Sequence, residues 1–222
     1  MVKTIEVKRS VLADNDADAA RLRQELSARG VFLVNLMSSP GAGKTSLLLR
    51  ALPLLAARNI SCAVMEADID SDVDARAVAA LGLPAIQLHT GGMCHLDAAM
   101  TRQGLTELGV LDANPHGVKL VFLENVGNLV CPAEFDTGAH LNVMLLSVPE
   151  GDDKPLKYPL MFQVSQAVLI NKLDVLPAFD FDVARATARV HGRNPQAQVF
   201  PLSAKRGEGL TPWLDWLCEK LK

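Results

Sequence analysis

Seven short apolar runs, most of them separated by stretches of helical periodicity, constrain this 222-residue chain more than any other feature. They are Val31–Met37, Cys62–Met65, Ala85–Leu88, Leu120–Leu123, Leu141–Val148, Ala167–Ile170 and Val199–Leu202. Most are continuous rather than alternating, the pattern of strands covered on both faces. Helices are expected from about Gly43 and over Asp72–Leu81, Asp97–Leu108, Phe181–His191 and Gly209–Leu221, the last with Trp213, Trp216 and Leu217 on one face. An earlier helix over Ala19–Arg29 sets Leu22 and Leu26 one turn apart, with Asp16 and Asp18 just ahead and Gly30 as its stop. The proline-rich stretch Pro149–Pro159 reads as a loop. This alternation predicts an α/β fold whose mostly parallel sheet is flanked by helices, with ligands at the carboxyl ends of the strands. No repeat, low-complexity tract or linker interrupts it. Residues 1–222 therefore read as a single domain, with 1–30 as an N-terminal arm and helix packing on it.

The first long run ends in Ser38-Ser-Pro-Gly-Ala-Gly-Lys-Thr45 and passes straight into the helical Ser46–Leu52. A strand, a small-residue loop ending Gly-Lys-Thr and a helix make a phosphate-binding P-loop. Gly41 and Gly43 let backbone N–H groups approach phosphate oxygens with no Cβ in the way, Ala42 lying between them. The helix N-terminus adds its positive dipole end. Lys44 can neutralise the outer phosphates and the Thr45 hydroxyl can ligate Mg²⁺, with Ser46 next in the helix. Ser38 stands where the G-x-x-x-x-G-K-[ST] pattern has its first glycine. The bland alternative is a glycine-rich turn between strand and helix.

Composition narrows the field. A net charge of −3 without a long basic run argues against a nucleic-acid surface. The apolar runs are strand-sized, so no membrane span is expected. Met1–Arg9 lacks the apolar core of a signal peptide, and four cysteines then suggest a reducing, cytoplasmic setting.

Val168-Leu-Ile-Asn-Lys-Leu-Asp174 identifies the base. An Asn-Lys-x-Asp tetrapeptide after an apolar strand is the guanine-reading motif of P-loop GTPases. The Asp174 carboxylate can accept from guanine N1–H and its exocyclic amine, whereas adenine would present a lone pair. Lys172 can cover the base with its stem and Asn171 can brace the loop. Ser203, Ala204 and Lys205 resemble the triplet that backs the base in GTPases. The ligand is expected to be GTP or GDP. Between these motifs, Leu120–Gly127 ends a strand on Glu124, with Gly127 three residues on. Glu124 can contact Mg²⁺ and Gly127 can offer its N–H to the γ-phosphate. Val64–Asp70 also ends on acids. Glu66 or Asp68 would face the nucleotide, and Asp68 is the preferred second Mg²⁺ contact, while Asp72 reads as a helix cap.

Cys94 and His95 adjoin ahead of a helix, and Cys131 lies four residues past Gly127. Soft sulfur with imidazole suits Zn²⁺ or Ni²⁺. A Cys-His dipeptide alone leaves metal binding and ordinary packing both open. Core packing is the reading for Cys62 and Cys218.

Asn35–Ser46, Thr90–Ala98, Glu124–Pro132, Lys157–Phe162 and Asn171–Pro177 together resemble the HypB family of nickel-incorporation GTPases of [NiFe]-hydrogenase maturation, over a span from about Val11 to the C-terminus. The resemblance implies a SIMIBI-class GTPase fold, slow Mg²⁺-dependent GTP hydrolysis and a homodimer promoted by GTP. It also implies a Ni²⁺/Zn²⁺ site at the dimer interface formed by Cys94, His95 and Cys131. The implied partners are the nickel chaperone HypA and the hydrogenase large subunit. Some relatives carry an N-terminal Cys-rich nickel motif or a His-rich tract; here the histidines are the scattered His89, His95, His116, His140 and His191. The nearest rival is a metal-chaperone GTPase serving another nickel enzyme such as urease, whose Cys-Pro-His motif differs from Cys94-His95-Leu96. A P-loop kinase is disfavoured by Asn171–Asp174, and a metal-storage protein by the scarcity of Cys and His. No arginine finger or water-positioning glutamine stands out near Gly127.

Overall fold

The seven apolar runs become seven parallel strands of one sheet, in the order β3-β2-β4-β1-β5-β6-β7. The computed structural model describes residues 7–68 and 73–222, the side chains of 7–11, 68 and 73–75 excepted. In chain order the elements begin α1 (Val7–Ala28), β1 (Phe32–Ser38), α2 (Lys44–Ala56), β2 (Cys62–Asp68), α3 (Val73–Ala79) and β3 (Ala85–His89). Next come α4 (Ala98–Glu107), β4 (Leu120–Glu124), α5 (Cys131–Glu134) and β5 (Leu141–Ser147). The remainder is α6 (Lys154–Lys157), α7 (Pro159–Gln163), β6 (Ala167–Asn171), α8 (Val183–His191), β7 (Gln198–Pro201) and α9 (Leu210–Lys220).

Continuous apolarity follows from what covers the sheet. On one face, α2, α3 and α9 deliver Leu48, Val78 and Trp213 onto Val34, Leu36 and Val143. On the other, α1 and α4 bring Leu22, Leu26 and Leu105 against Leu33, Met65 and Val121. There α7 and α8 cover Met144 and Ile170 with Phe162 and Val190. Each such leucine or valine, fully removed from water, contributes about 1.5–3 kcal/mol. The polar exception is a ladder across the central strands: Asn125 Nδ2 donates to Asn35 Oδ1 (3.0 Å), and Asn35 Nδ2 to Asn142 Oδ1 (3.0 Å).

Two expectations are corrected. The first helix begins at Val7, not Ala19, so Asp16 and Asp18 lie within it instead of ahead of it. Its middle is tied down by tertiary bonds: Asn15 Oδ1 accepts from Ala98 N (3.0 Å) and Asn15 Nδ2 donates to Asp136 O (2.9 Å). The stretch Pro149–Pro159 is not a plain loop but holds a 3₁₀ turn (Val148–Glu150), α6 and the start of α7, each with a proline in its first turn. Proline lacks an N–H that the first turn would leave unbonded anyway, so it starts helices as readily as it marks loops. Buried Asp152 then pairs with Arg185 and Arg189 of α8.

Strand order runs away from β1 on both sides, through β4 to β3 and through β5 to β7. A crevice at the carboxyl end of such a switch point is where α/β sheets bind ligands. The loop from β1 to α2 opens into it.

Candidate nucleotide and metal site

A cleft of about 480 Å³ lies over that end of the sheet, lined by Gly41, Gly43, Lys44, Thr45, Glu66, Gln87, Glu124 and Gly127 among others. The glycines are there for separate reasons. Gly43 has φ 103°, and a Cβ on it would sit 2.7 Å from Asn171 Nδ2. Gly127 packs so closely that a Cβ would meet Pro40 N and Cα at 2.9 Å. The segment after β4 therefore rests directly on the phosphate loop. Gly127→Ala should force the two backbones apart, at a cost of about 1–3 kcal/mol for overpacking. The expected result is a lower denaturation midpoint together with weaker guanine-nucleotide binding in a fluorescence titration.

Lys44 is buried at the start of α2, its Nζ 3.1 Å from Ser38 Oγ and 3.7 Å from Glu124 Oε1. Ser38, in place of a glycine, thus supplies a hydroxyl to the lysine. Thr45 Oγ1 donates to the same Glu124 oxygen at 3.1 Å. Register puts Gln87, Glu66 and Glu124 side by side on β3, β2 and β4, and parallel neighbours in register face the same way. Hydroxyl and carboxylate oxygens gathered beside a lysine are a hard donor set, which suits Mg²⁺ with a nucleotide. Of the two acids considered on β2, Glu66 is buried and lines the cleft; the side chain of Asp68 and the whole of Asp72 lie outside the described residues.

At the other end of the phosphate loop the candidate base-reading residues interlock. Asn171 donates through Nδ2 to Ala42 O (2.9 Å), and its Oδ1 accepts from Ala204 N (3.0 Å). One buried amide thereby links the loop, β6 and the segment after β7. Lys172, in the left-handed region at φ 66°, donates to Gly41 O at 2.6 Å. Ser203 Oγ donates to Asp174 Oδ1 (2.6 Å), a bond that holds the Asp174 carboxyl below its ordinary range. Arg50 of α2 donates to Lys205 O at 3.1 Å, which fixes that end of the triplet. Gly41–Ser46, with Asn171, Lys172, Asp174, Ser203, Ala204 and Lys205, are thus grouped past the carboxyl ends of β1, β6 and β7.

The second constellation stands at the ends of β3 and β4. Cys94 Sγ, a ring nitrogen of His95 and Cys131 Sγ all lie within 4.8 Å of one another. Cys94 Sγ donates to Cys131 Sγ at 2.8 Å, and Cys94 Sγ lies 3.9 Å from His95 Nδ1. The thiol–thiol bond raises Cys131, and burial lowers His95. Two sulfurs and one imidazole form a borderline-soft set, one short of the four ligands of a tetrahedral zinc site. The third member of the set comes with α5, a single turn that carries Cys131 up to the Cys94-His95 pair. Phe135, just past α5, stacks on the His95 ring with centroids 3.8 Å apart and planes 18° off parallel. Asn128 Oδ1 accepts from Val130 N (2.8 Å), shaping the turn between Gly127 and α5. Cys62 is buried within β2, and burial pushes its thiol up to about 12, so it stays protonated at neutral pH. Cys218 is half-buried on α9 and takes a hydrogen bond from Arg58.

Residues 32–201 match the nucleotide-binding domain model described as CobW/HypB/UreG. The chain is 46% identical over 215 residues to the hydrogenase maturation factor HypB of Azotobacter vinelandii, covering 97% of this chain and 69% of that one. The chain belongs to the CobW/HypB/UreG family, on its HypB branch. A crystal structure of HypB from Helicobacter pylori in complex with nickel superposes with a TM-score of 0.85 at 37% identity, over 94% of this chain and 95% of that one. The signal recognition particle receptor FtsY of Elizabethkingia anophelis, with GDP, shares the fold alone, at a TM-score of 0.56 and 12% identity over 87% of this chain and 67% of that one. This HypB-family chain therefore has a P-loop nucleotide-binding fold, an all-parallel sheet flanked by helices. Among the described residues, no helix is long and apolar enough to cross a membrane.

Sequence reasoning missed Gln87 and Phe135. Neither lies in a recognisable motif; strand register and a one-turn helix bring them to the site.

Proposed function

We propose that this chain is a cytoplasmic GTP-hydrolysing nickel chaperone that helps insert nickel into [NiFe]-hydrogenase, with residues 1–222 acting as one P-loop GTPase domain. The observation that carries this reading is the position of Cys131. It reaches Cys94 and His95 from a turn only four residues beyond Gly127, whose backbone presses on Pro40 of the phosphate loop. Anything that moves Gly127 moves a metal ligand.

In this mechanism Gly41–Ser46 cradle the phosphates and Asp174 reads guanine. Lys44 lies against the outer phosphates. Mg²⁺ would be held by Thr45 and Glu124, with Asp68 or Glu66 of β2 as a further contact, and would neutralise charge on the β- and γ-phosphates. Water attacks the γ-phosphorus, the bond to the bridging oxygen breaks with its electrons staying on the β-phosphate of GDP, and the water's protons pass to the released inorganic phosphate and to solvent. Loss of the γ-phosphate frees Gly127 and shifts α5, so Cys131 is withdrawn and the metal loosens. With GTP bound, two copies close and the Cys94, His95 and Cys131 side chains of both meet. Ni²⁺ is the cargo and Zn²⁺ an alternative occupant of the same thiolates and imidazole. HypA and the hydrogenase large subunit are the partners that supply and receive it. Turnover is slow, since the cleft offers no arginine finger among its lining residues.

A ligand shifts such a switch only through unequal affinity for its states, typically by a factor of about 5–150. Ni²⁺ affinity and oligomeric state measured with GDP and with a non-hydrolysable GTP analogue should differ within that range. Equal affinities would sink the coupling. Cys94→Ser should lose the bound metal while keeping GTP binding, and stoichiometric metal in that variant would defeat the assignment. The urease-chaperone alternative is less well supported, because Leu96 follows His95 and no proline separates it from Cys94.

A further inference from the structure

Gln87 is the middle residue of β3 (Ala85–His89), which among the described residues is an edge strand paired with β2. Its backbone belongs to the sheet, but its side chain enters the nucleotide cleft beside Glu66. Both polar atoms of its amide, Oε1 and Nε2, are buried and have no hydrogen-bond partner among the described residues. Its neighbours Ile86 and Leu88 explain the other side of the strand, where they pack against Gly104 of α4. A buried amide without partners is destabilising, and nothing in the packing calls for a glutamine here. An apolar residue would serve the fold better.

Distance narrows what the amide can reach. Adjacent strands lie about 4.8 Å apart, so the Gln87 backbone stands roughly 10 Å from that of Glu124. That is too far for the amide to share an inner coordination sphere with Thr45 and Glu124. It is the right separation for a second layer, one water beyond the cation. Water bound to a divalent cation is a strong donor and a poor acceptor, since the cation draws on its lone pairs. Its partner must be an acceptor, which Gln87 Oε1 is, while Nε2 remains free to donate to a carboxylate or phosphate oxygen.

We infer that Gln87 is a positioning residue for the hydrated cation of the bound nucleotide, accepting a hydrogen bond from a metal-bound water through Oε1 and so orienting the cation's outer shell against Glu66. The inference rests on the GTPase reading above. It also makes β3 a second route from nucleotide to metal, because the strand runs directly into Thr90–His95 and its Cys94-His95 pair.

The test compares Gln87→Leu, which keeps the shape and removes both polar atoms, with Gln87→Glu, which keeps the acceptor. The readout is Mn²⁺ affinity by electron paramagnetic resonance, in the complex with a non-hydrolysable GTP analogue. Outer-shell partners are worth about 10–100-fold in metal affinity, so Gln87→Leu should weaken Mn²⁺ binding at least tenfold. Nucleotide affinity in EDTA should be unchanged, and so should the thermal unfolding midpoint of the nucleotide-free chain, or it should rise. Gln87→Glu should retain the wild-type Mn²⁺ affinity or exceed it. Wild-type Mn²⁺ binding by Gln87→Leu, or equal loss in both variants, would overturn the role. A wild-type chain that binds no guanine nucleotide would overturn the GTPase reading itself and this inference with it, a result distinct from either.

Discussion

Asp174→Asn is expected to exchange the preferred base, lowering affinity for GTP by about 10³ or more and making XTP the better ligand. Guanine presents two donors, N1–H and the exocyclic amine, to a carboxylate that only accepts. Asparagine offers one acceptor and one donor, so its NH₂ would face the guanine amine. Xanthine carries a carbonyl at that position and fits the amide. A site built around such a pair rejects the mismatched partner by about 10⁴–10⁵ where the polar groups are left unpaired. The fold should tolerate the change. Ser203 Oγ donates to Asp174 Oδ1 at 2.6 Å, and an asparagine oxygen accepts the same bond. The exchange also removes a carboxylate held below its ordinary pKa range, chiefly by that hydroxyl. Titration with fluorescent GTP and XTP analogues measures both arms. Unaltered GTP preference would remove Asp174 from the base site and leave the guanine reading without its main residue.

Lys44→Met is expected to lower kcat/KM for GTP by about 10²–10³, the usual loss when one preorganised charge facing the transition state is deleted. Methionine keeps the apolar stem in its buried slot, so the change isolates the ammonium. That group now lies 3.1 Å from Ser38 Oγ and 3.7 Å from Glu124 Oε1, poised between the loop and the acid row. Lys44→Arg should not restore activity, because a planar fork does not fit where a compact charge is buried with its hydroxyl partner. Phosphate release measured at saturating and limiting GTP separates the effects. A fall in kcat places the ammonium at the reacting phosphate, and a rise in KM alone would mean that it binds ground and transition states equally. Turnover at the wild-type level would rule out the phosphate-binding role.

Residues 38–45 and 171–174 were legible because each motif is local. A phosphate needs glycine backbone and a lysine within eight residues, and a guanine edge needs one carboxylate on a braced turn. The strands were legible for a similar reason: burial on both faces leaves uninterrupted apolar runs such as Leu120–Leu123. The candidate metal ligands were legible only in part. Cys94 and His95 are neighbours in the chain, but what makes them a site is Cys131, 37 positions away along the chain. The start of α1 and the helical turns of 148–163 were misread because aspartate and proline signal both boundaries and interiors. The outcome there was decided by Asn15 bonding to Ala98 and by Asp152 pairing with α8.

The sequence by itself determined the class of fold, the order of the phosphate and base motifs, and the residue types available for a metal, since these depend on short-range spacing and on which side chains avoid water. Only the tertiary structure decided that Glu66, Gln87 and Glu124 stand in one row and that Gly127 rests on Pro40. It also decided that Phe135 lies flat on His95. Those relations arise from strand register and close backbone approach between segments far apart in the chain, and no local pattern of residues encodes a distance of that kind.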